Sequence, residues 1–251
     1  MNIYKSLFLG LVCSAGMHCT FAQTTVWNPD NQNGTFTNPI MWGDWPDPDL
    51  IRVDDKFYLV STSMHYVPGC PIAVSEDLVN WEMAGYALDR YDEDPKYDMQ
   101  GGNLYLNGAW ATTIRHHNGK FYVGFCTPYG WGRETGHFSI CIADDVKGPW
   151  ERTIFPEYLY DPGLFFDEDG KVYVVHGQGT LYLTELNSDV KSVKGKPVKI
   201  WQGGFKNAHE LGGGFGMEGS HMYRINGKYY ITCPAAVSYT HLRAHETLRH
   251  L

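Results

Sequence analysis

Residues 47–61 read DPDLIRVDDKFYLVS. An Asp-Pro entrance, an apolar run, a short acidic turn, a lysine and a second apolar run spell a β-hairpin. The same unit returns as WATTIRHHNGKFYVGF at 110–125, DPGLFFDEDGKVYVVH at 161–176 and EGSHMYRINGKYYITC at 218–233. Asn-Gly and Asp-Gly accept the positive φ of two-residue hairpin turns. Four hairpins are therefore predicted, with turns at Asp54-Asp55, Asn118-Gly119, Asp169-Gly170 and Asn226-Gly227. The lysines after the turns, Lys56, Lys120, Lys171 and Lys228, lie 64, 51 and 57 residues apart. The residues leading the units are Asp47, Trp110, Asp161 and Glu218. Asp47 stands nine positions before its lysine and the others ten, which reads as a first turn one residue shorter.

Each hairpin is followed by further strand-like sequence. PIAVSEDLVNW at 71–81 resembles SICIADDVKGPW at 139–150, and residues 181–190 are a weaker echo. A hairpin plus outer strands at a period of about 50–60 residues is the rhythm of propeller blades. A β-sandwich is the alternative, but its strands would not carry matching hairpins at this period. In a propeller the innermost strands line a central channel. Asp47, Trp110, Asp161 and Glu218 would then meet at one end of it. Asp47 lies between Pro46 and Pro48, which fix their own φ and push the residue before them towards extended backbone.

Composition narrows the class. The chain has 251 residues, 43% hydrophobic and 19% charged, which is globular and not disordered. Aromatics at 15% and 28 glycines favour strands joined by tight turns. A net charge of −8 argues against nucleic acid or an anionic membrane surface as partner. Residues 1–22 have the build of an export signal: Lys5, a mostly apolar stretch at 6–16, and Thr20-Phe21-Ala22 ahead of Gln23. The stretch is too short for a permanent membrane span, so a periplasmic or extracellular protein is expected. A buried N-terminal helix is the plainer alternative, but no amphipathic period or cap supports it. A lipid anchor on Cys13 is disfavoured by the bulk of Val12. The spacing of Cys70, Cys126, Cys141 and Cys233 fits neither a zinc site nor a dense disulfide framework. Buried free thiols are expected, with a Cys126–Cys141 bridge as the alternative.

A lone Asp before a strand is ordinarily a turn or cap acceptor. Three acids and a tryptophan at matched places in a repeat point elsewhere, because one structural job would conserve one residue type. Clustered carboxylates drive their pKa values apart. One protonated acid beside one ionised acid is what glycoside hydrolysis requires. A calcium site is the rival, but it would need more ligands than one acid per blade.

These residues carry a resemblance. Asn38-Pro39-Ile40, Trp45-Pro46-Asp47-Pro48-Asp49, the SEDLVNW stretch at 75–81, Trp110-Ala111, Asp161-Pro162 and Glu218-Gly219 occur in order over residues 38–234. Together they resemble family-43 glycoside hydrolases, which are five-bladed β-propeller β-xylosidases and α-L-arabinofuranosidases. The resemblance implies that Asp47 is the general base, Glu218 the general acid and Asp161 the carboxylate that orients the acid. It also implies inversion, with base and acid roughly 6.5–9.5 Å apart. Asp49 and Gly163 stand where the family often has Ser, and Ser220 where it often has Pro. No cofactor is implied for the chemistry, and no metal ligand is assigned. A structural calcium in the complete propeller is allowed, with a ligand from a late blade. For sugar contact Trp110 leads, followed by Met64, His65 and Tyr66. Trp42, Trp45 and Trp131 divide evenly between core and site. His116 and His117 read as surface residues, and His209 and His221 flank the fourth leading residue.

The repeat stops near residue 236. Residues 237–251 read as a short helix or, better, as a non-native tail, because SYTHLRAHET resembles translated sequencing-adapter sequence. The domain reading is a signal at 1–22, an incomplete five-bladed propeller of about three and a half blades at 23–236, and the tail at 237–251. An open propeller exposes strand edges and is expected to aggregate. The leading functional expectation is a secreted glycosidase of pentose-containing saccharides. A non-catalytic sugar-binding propeller and a protein-interaction propeller are the alternatives. Xylose against arabinose, exo against endo cleavage, and oligomeric state are not legible.

Overall fold

A computed structural model describes residues 27–130, 135–202 and 217–234. The segments read as export signal and non-native tail, with Trp131 and His209, lie outside the described residues. Blade one is β1 (Asp49–Val53), β2 (Lys56–Val60), β3 (Gly69–Ser75) and β4 (Glu82–Leu88), antiparallel in that order. Blade two is β5 (Trp110–His117), β6 (Lys120–Pro128), β7 (Gly136–Ala143) and β8 (Glu151–Phe155). Blade three is β9 (Gly163–Phe166), β10 (Val172–His176), β11 (Thr180–Leu186) and β12 (Val198–Gln202). A fourth hairpin, β13 (His221–Ile225) and β14 (Lys228–Thr232), follows. The described residues contain one short 3-10 turn, Pro95–Asp98, and no α-helix. None of their helices is long and apolar enough to cross a membrane.

Strand alternation gives each blade two apolar faces. Val60, Ile72 and Tyr91 pack with Ile114, Val123 and Phe125 between blades one and two. Phe138 and Ile140 pack with Leu164, Val174 and Leu186 between blades two and three. Phe165, Val175 and Met222 form a smaller core against the fourth hairpin. The four cysteines of the described residues are free thiols, Cys70, Cys126 and Cys141 buried, so the Cys126–Cys141 alternative is not realised. The SEDLVNW stretch is a self-stapled loop: Asp77 Oδ1 accepts from Val79 N at 2.8 Å and Asn80 N at 2.7 Å. Those bonds, the Asn80 backbone first, bring its carboxyl down to about 2.

The register corrects the repeat alignment. Lys56 pairs with Val53, Lys120 with His117 and Lys228 with Ile225, so three turns have two residues. In blade three Lys171 O accepts from Asp167 N, across a turn of Glu168, Asp169 and Gly170. The third turn is one residue longer; the first is not shorter. Counted from the strand partners, Asp47 and Asp161 match Ala111 and Gly219. Trp110 and Glu218 match Pro46 and Tyr160, one step earlier. Two observations agree with this matching. Thr62 N donates to Pro46 O at 3.0 Å as Gly177 N does to Tyr160 O at 2.8 Å. Asp47, Ala111, Asp161 and Gly219 all have left-handed φ, at 47°, 49°, 50° and 60°. Asp47 is therefore not in the extended region that its following proline favours. The steric cost of αL at three non-glycine residues is held by the surrounding bonds, as is common at functional sites.

Candidate active site

The matched positions lie at the entrances of successive inner strands, and each entrance is tied to the next blade. The Thr62 hydroxyl donates to Asp47 Oδ2 at 2.8 Å and accepts from Ala111 N at 2.8 Å. A hydroxyl has one hydrogen, so the backbone donor of blade two aims the Thr62 proton at Asp47. Between blades two and three, the Cys126 thiol donates to Trp110 O at 3.7 Å and bonds the Asp161 backbone. Between blades three and four, Gly219 N donates to Asp161 Oδ2 at 3.1 Å. Tyr160 OH donates back to Glu218 Oε2 at 3.1 Å. The one-residue offset produces this exchange: each acid is held by the neighbour of the other. Gln178 Nε2, just past β10, donates to the same Glu218 oxygen at 2.8 Å. Asp47 is exposed, whereas Asp161 is buried.

Lower in the channel sits Asp49, 4% exposed. Its Oδ2 accepts from Thr113 Oγ1 at 2.9 Å, Ile114 N at 2.9 Å and Arg115 Nη1 at 2.6 Å. His221 Nδ1 lies 3.7 Å away. Burial alone would raise the Asp49 pKa, but Arg115, His221 and the two blade-two donors more than offset it and hold the carboxyl below its ordinary value. Burial, with Arg115 adding, lowers His221. Thr113 also accepts from Leu164 N at 3.3 Å, so one acid joins three blades. This donor set does not fit calcium. The carboxylate already faces a guanidinium, and among the described residues no three His, Cys, Asp or Glu side chains gather as a metal site. Asp49, first noted only as a departure from Ser, is a structural anion.

The expected sugar contacts divide. Trp110 Nε1 donates to Leu106 O at 2.6 Å, and Leu106 N donates to His65 Nδ1 at 3.2 Å. The His65 ring packs between Tyr66 and Tyr105, at 4.4 and 4.2 Å. Trp110, His65 and Tyr66 thus form one rim, to which exposed Tyr105 must be added. Met64 is half-buried and bridged to Ala109, with its carbonyl accepting from Tyr91 OH at 2.7 Å. Its backbone builds the rim. Trp42 and Trp45 line, with Trp27 and Trp81, a groove of about 800 Å³ against β3 and β4 that none of the three acids lines. His117 is not a plain surface residue: it stacks on Phe166 at 4.4 Å. Thr62, Tyr160 and Gln178 had no sequence signal beyond the glycines flanking Gln178.

The propeller brings carboxylates from three blades, Asp47, Asp161 and Glu218, to the entrances of its inner strands. The sequence model of glycosyl hydrolases family 43 matches residues 36–248, and the chain belongs to that family. It is 36% identical over 223 residues to a xylosidase/arabinosidase of Butyrivibrio fibrisolvens, covering 81% of this chain and 40% of that protein. It is 37% identical over 200 residues to a non-reducing end alpha-L-arabinofuranosidase of Bacteroides ovatus, covering 78% and 35%. A solved bifunctional GH43-CE protein of Bacteroides eggerthii superposes with a TM-score of 0.70 at 36% identity, covering 79% of this chain and 25% of that one. The chain thus spans 40% or less of the length of these relatives. The fold is a five-bladed propeller, of which the described residues make three blades and the inner hairpin of a fourth.

Proposed function

We propose that the chain is the catalytic part of an exported glycoside hydrolase that cleaves pentosyl groups from oligosaccharides or polysaccharides with inversion. Asp47 is the base, Glu218 the acid and Asp161 the orienting carboxylate. The observation that carries this reading is the reciprocal tie of Asp161 and Glu218 at one channel mouth, with Asp47 aimed from blade one. The names of the relatives supply the substrate class. In the reaction, Asp47 takes a proton from water as the water oxygen bonds the anomeric carbon. Glu218 gives its proton to the glycosidic oxygen as the carbon–oxygen bond breaks, and the aglycone leaves as an alcohol. Asp161, bonded by Gly219 N, holds the backbone beside the acid. The sugar ring lays its C–H face on the aromatic rim of Trp110, His65, Tyr66 and Tyr105.

The test uses the full-length protein with nitrophenyl β-xyloside and nitrophenyl α-arabinofuranoside, beside Asp47→Asn and Glu218→Gln. Turnover of at least one substrate is expected, with proton NMR showing the inverted anomer first. Asp47→Asn should lose about a thousandfold in kcat/KM, within the range of a general base. No turnover of either pentoside, saccharide binding without cleavage, or full activity in both variants would sink the reading. In the same preparation, the exported protein should begin at Gln23.

A further inference from the structure

We propose that Gln178 is a positioning residue that, with Tyr160, fixes which oxygen of Glu218 carries the transferable proton. The inference rests on Glu218 being the general acid. Gln178 Nε2 and Tyr160 OH both donate to Oε2, at 2.8 and 3.1 Å. An amide N–H can only donate. In a protonated carboxyl the oxygen without hydrogen is the better acceptor. Two donors on Oε2 therefore mark it as the accepting oxygen and put the proton on Oε1. Oε1–H then transfers to the glycosidic oxygen as the glycosidic bond breaks, and the resulting carboxylate keeps its two hydrogen bonds on Oε2.

The backbone around Gln178 is built to hold that aim. Gly177 N donates to Tyr160 O at 2.8 Å and Gly179 N to Met217 O at 2.9 Å. The residues on either side of Gln178 are thus stapled to the other donor and to the residue before the acid. Gly177 has φ +115°, and a Cβ there would meet Thr180 O at 2.3 Å, so the bend admits no side chain at that place. On the strand side, His176 Nε2 bonds Thr184 Oγ1 at 2.8 Å and the ring stacks on Tyr182. Burial takes this imidazole down to about 4.

The test compares two substrates of the full-length enzyme. A dinitrophenyl pentoside leaves without a proton, whereas a disaccharide needs one. Gln178→Met removes the donor at similar length, and Gln178→Asn and Tyr160→Phe are milder variants, each checked for folding by circular dichroism. Because general acid catalysis contributes about a hundredfold to ten-thousandfold, losing its aim should cost about tenfold to a hundredfold in kcat on the disaccharide. Dinitrophenyl turnover should stay within about twofold. Glu218→Gln should show the same asymmetry, larger. Equal losses on both substrates in every folded Gln178 variant, or no loss on either, overturn the inference while an asymmetric Glu218→Gln leaves the acid assignment standing. A Glu218→Gln variant without asymmetry overturns both.

Discussion

Asp49 stands two residues from Asp47, yet the two carboxylates meet different surroundings, because Asp47 precedes β1 in left-handed backbone while Asp49 is its first strand residue. Asp47 is exposed and faces one hydroxyl, while Asp49 is buried under a guanidinium, a hydroxyl and an N–H. Removing one member of a buried, hydrogen-bonded ion pair leaves the other charge uncompensated. Asp49→Asn should therefore lose about 3 kcal/mol of unfolding free energy at neutral pH, read by urea titration. The sign with pH follows from the depressed pKa. The stabilisation from Asp49 is complete above its unfolded value of 3.8 and fades as pH falls below it, so wild type and variant should converge in acid. A constant gap down to pH 2 would exclude this ion pair as the cause.

At the scale of the strand, Gly163 is the tightest joint between β9 and β13. A Cβ there would stand 2.0 Å from Ser220 O and 2.9 Å from Val175 Cγ1. Gly163→Ala should cost about 2–3 kcal/mol, seen as a lower Tm. It should also reduce kcat/KM, because β13 carries Glu218 just ahead of it. An unchanged Tm would mean that the two strands are not held at this spacing. The hairpins themselves were legible in the sequence, since alternation and Asn-Gly turns are local signals. The relative placement of the leading residues was not. Turn length is hidden when the lysine is the ruler, and one extra residue in the blade-three turn shifted Trp110 and Glu218 by a position. Reading Gln178, Thr62 and Tyr160 needed the fold, because their roles come from bonds between blades. The three acids were legible as candidates, and the exchange of partners between Asp161 and Glu218 was not.

Across the whole molecule, the exposure of equivalent apolar residues follows which neighbour they have. Ile114 and Leu164 are 0% exposed and Met222 8%, each packed on the preceding blade, whereas their counterpart Leu50 is 41% exposed. On the other side Phe165 is 7% exposed and its counterpart Tyr223 is 40%. Blade one and the fourth hairpin therefore each present a bare face, and these are the two faces that ring closure would cover. A protein limited to residues 23–251 should bind a hydrophobic dye and self-associate in sedimentation, whereas the full-length enzyme should do neither. A dye-silent monomer of the shorter protein would show that the faces find another cover.

The hairpin turns have a practical side. In each inner strand six residues separate the acid level from the turn, which at about 3.3 Å per residue is roughly 20 Å. The turns at Asp54-Asp55, Asn118-Gly119 and Asn226-Gly227, and the longer one at 168–170, all lie on the rim opposite the carboxylates. Blade three already carries an inserted residue there without moving Asp161 out of line. That rim is where a fluorophore, an affinity handle or a tether to a solid support can be grafted while the channel mouth stays open to polymer.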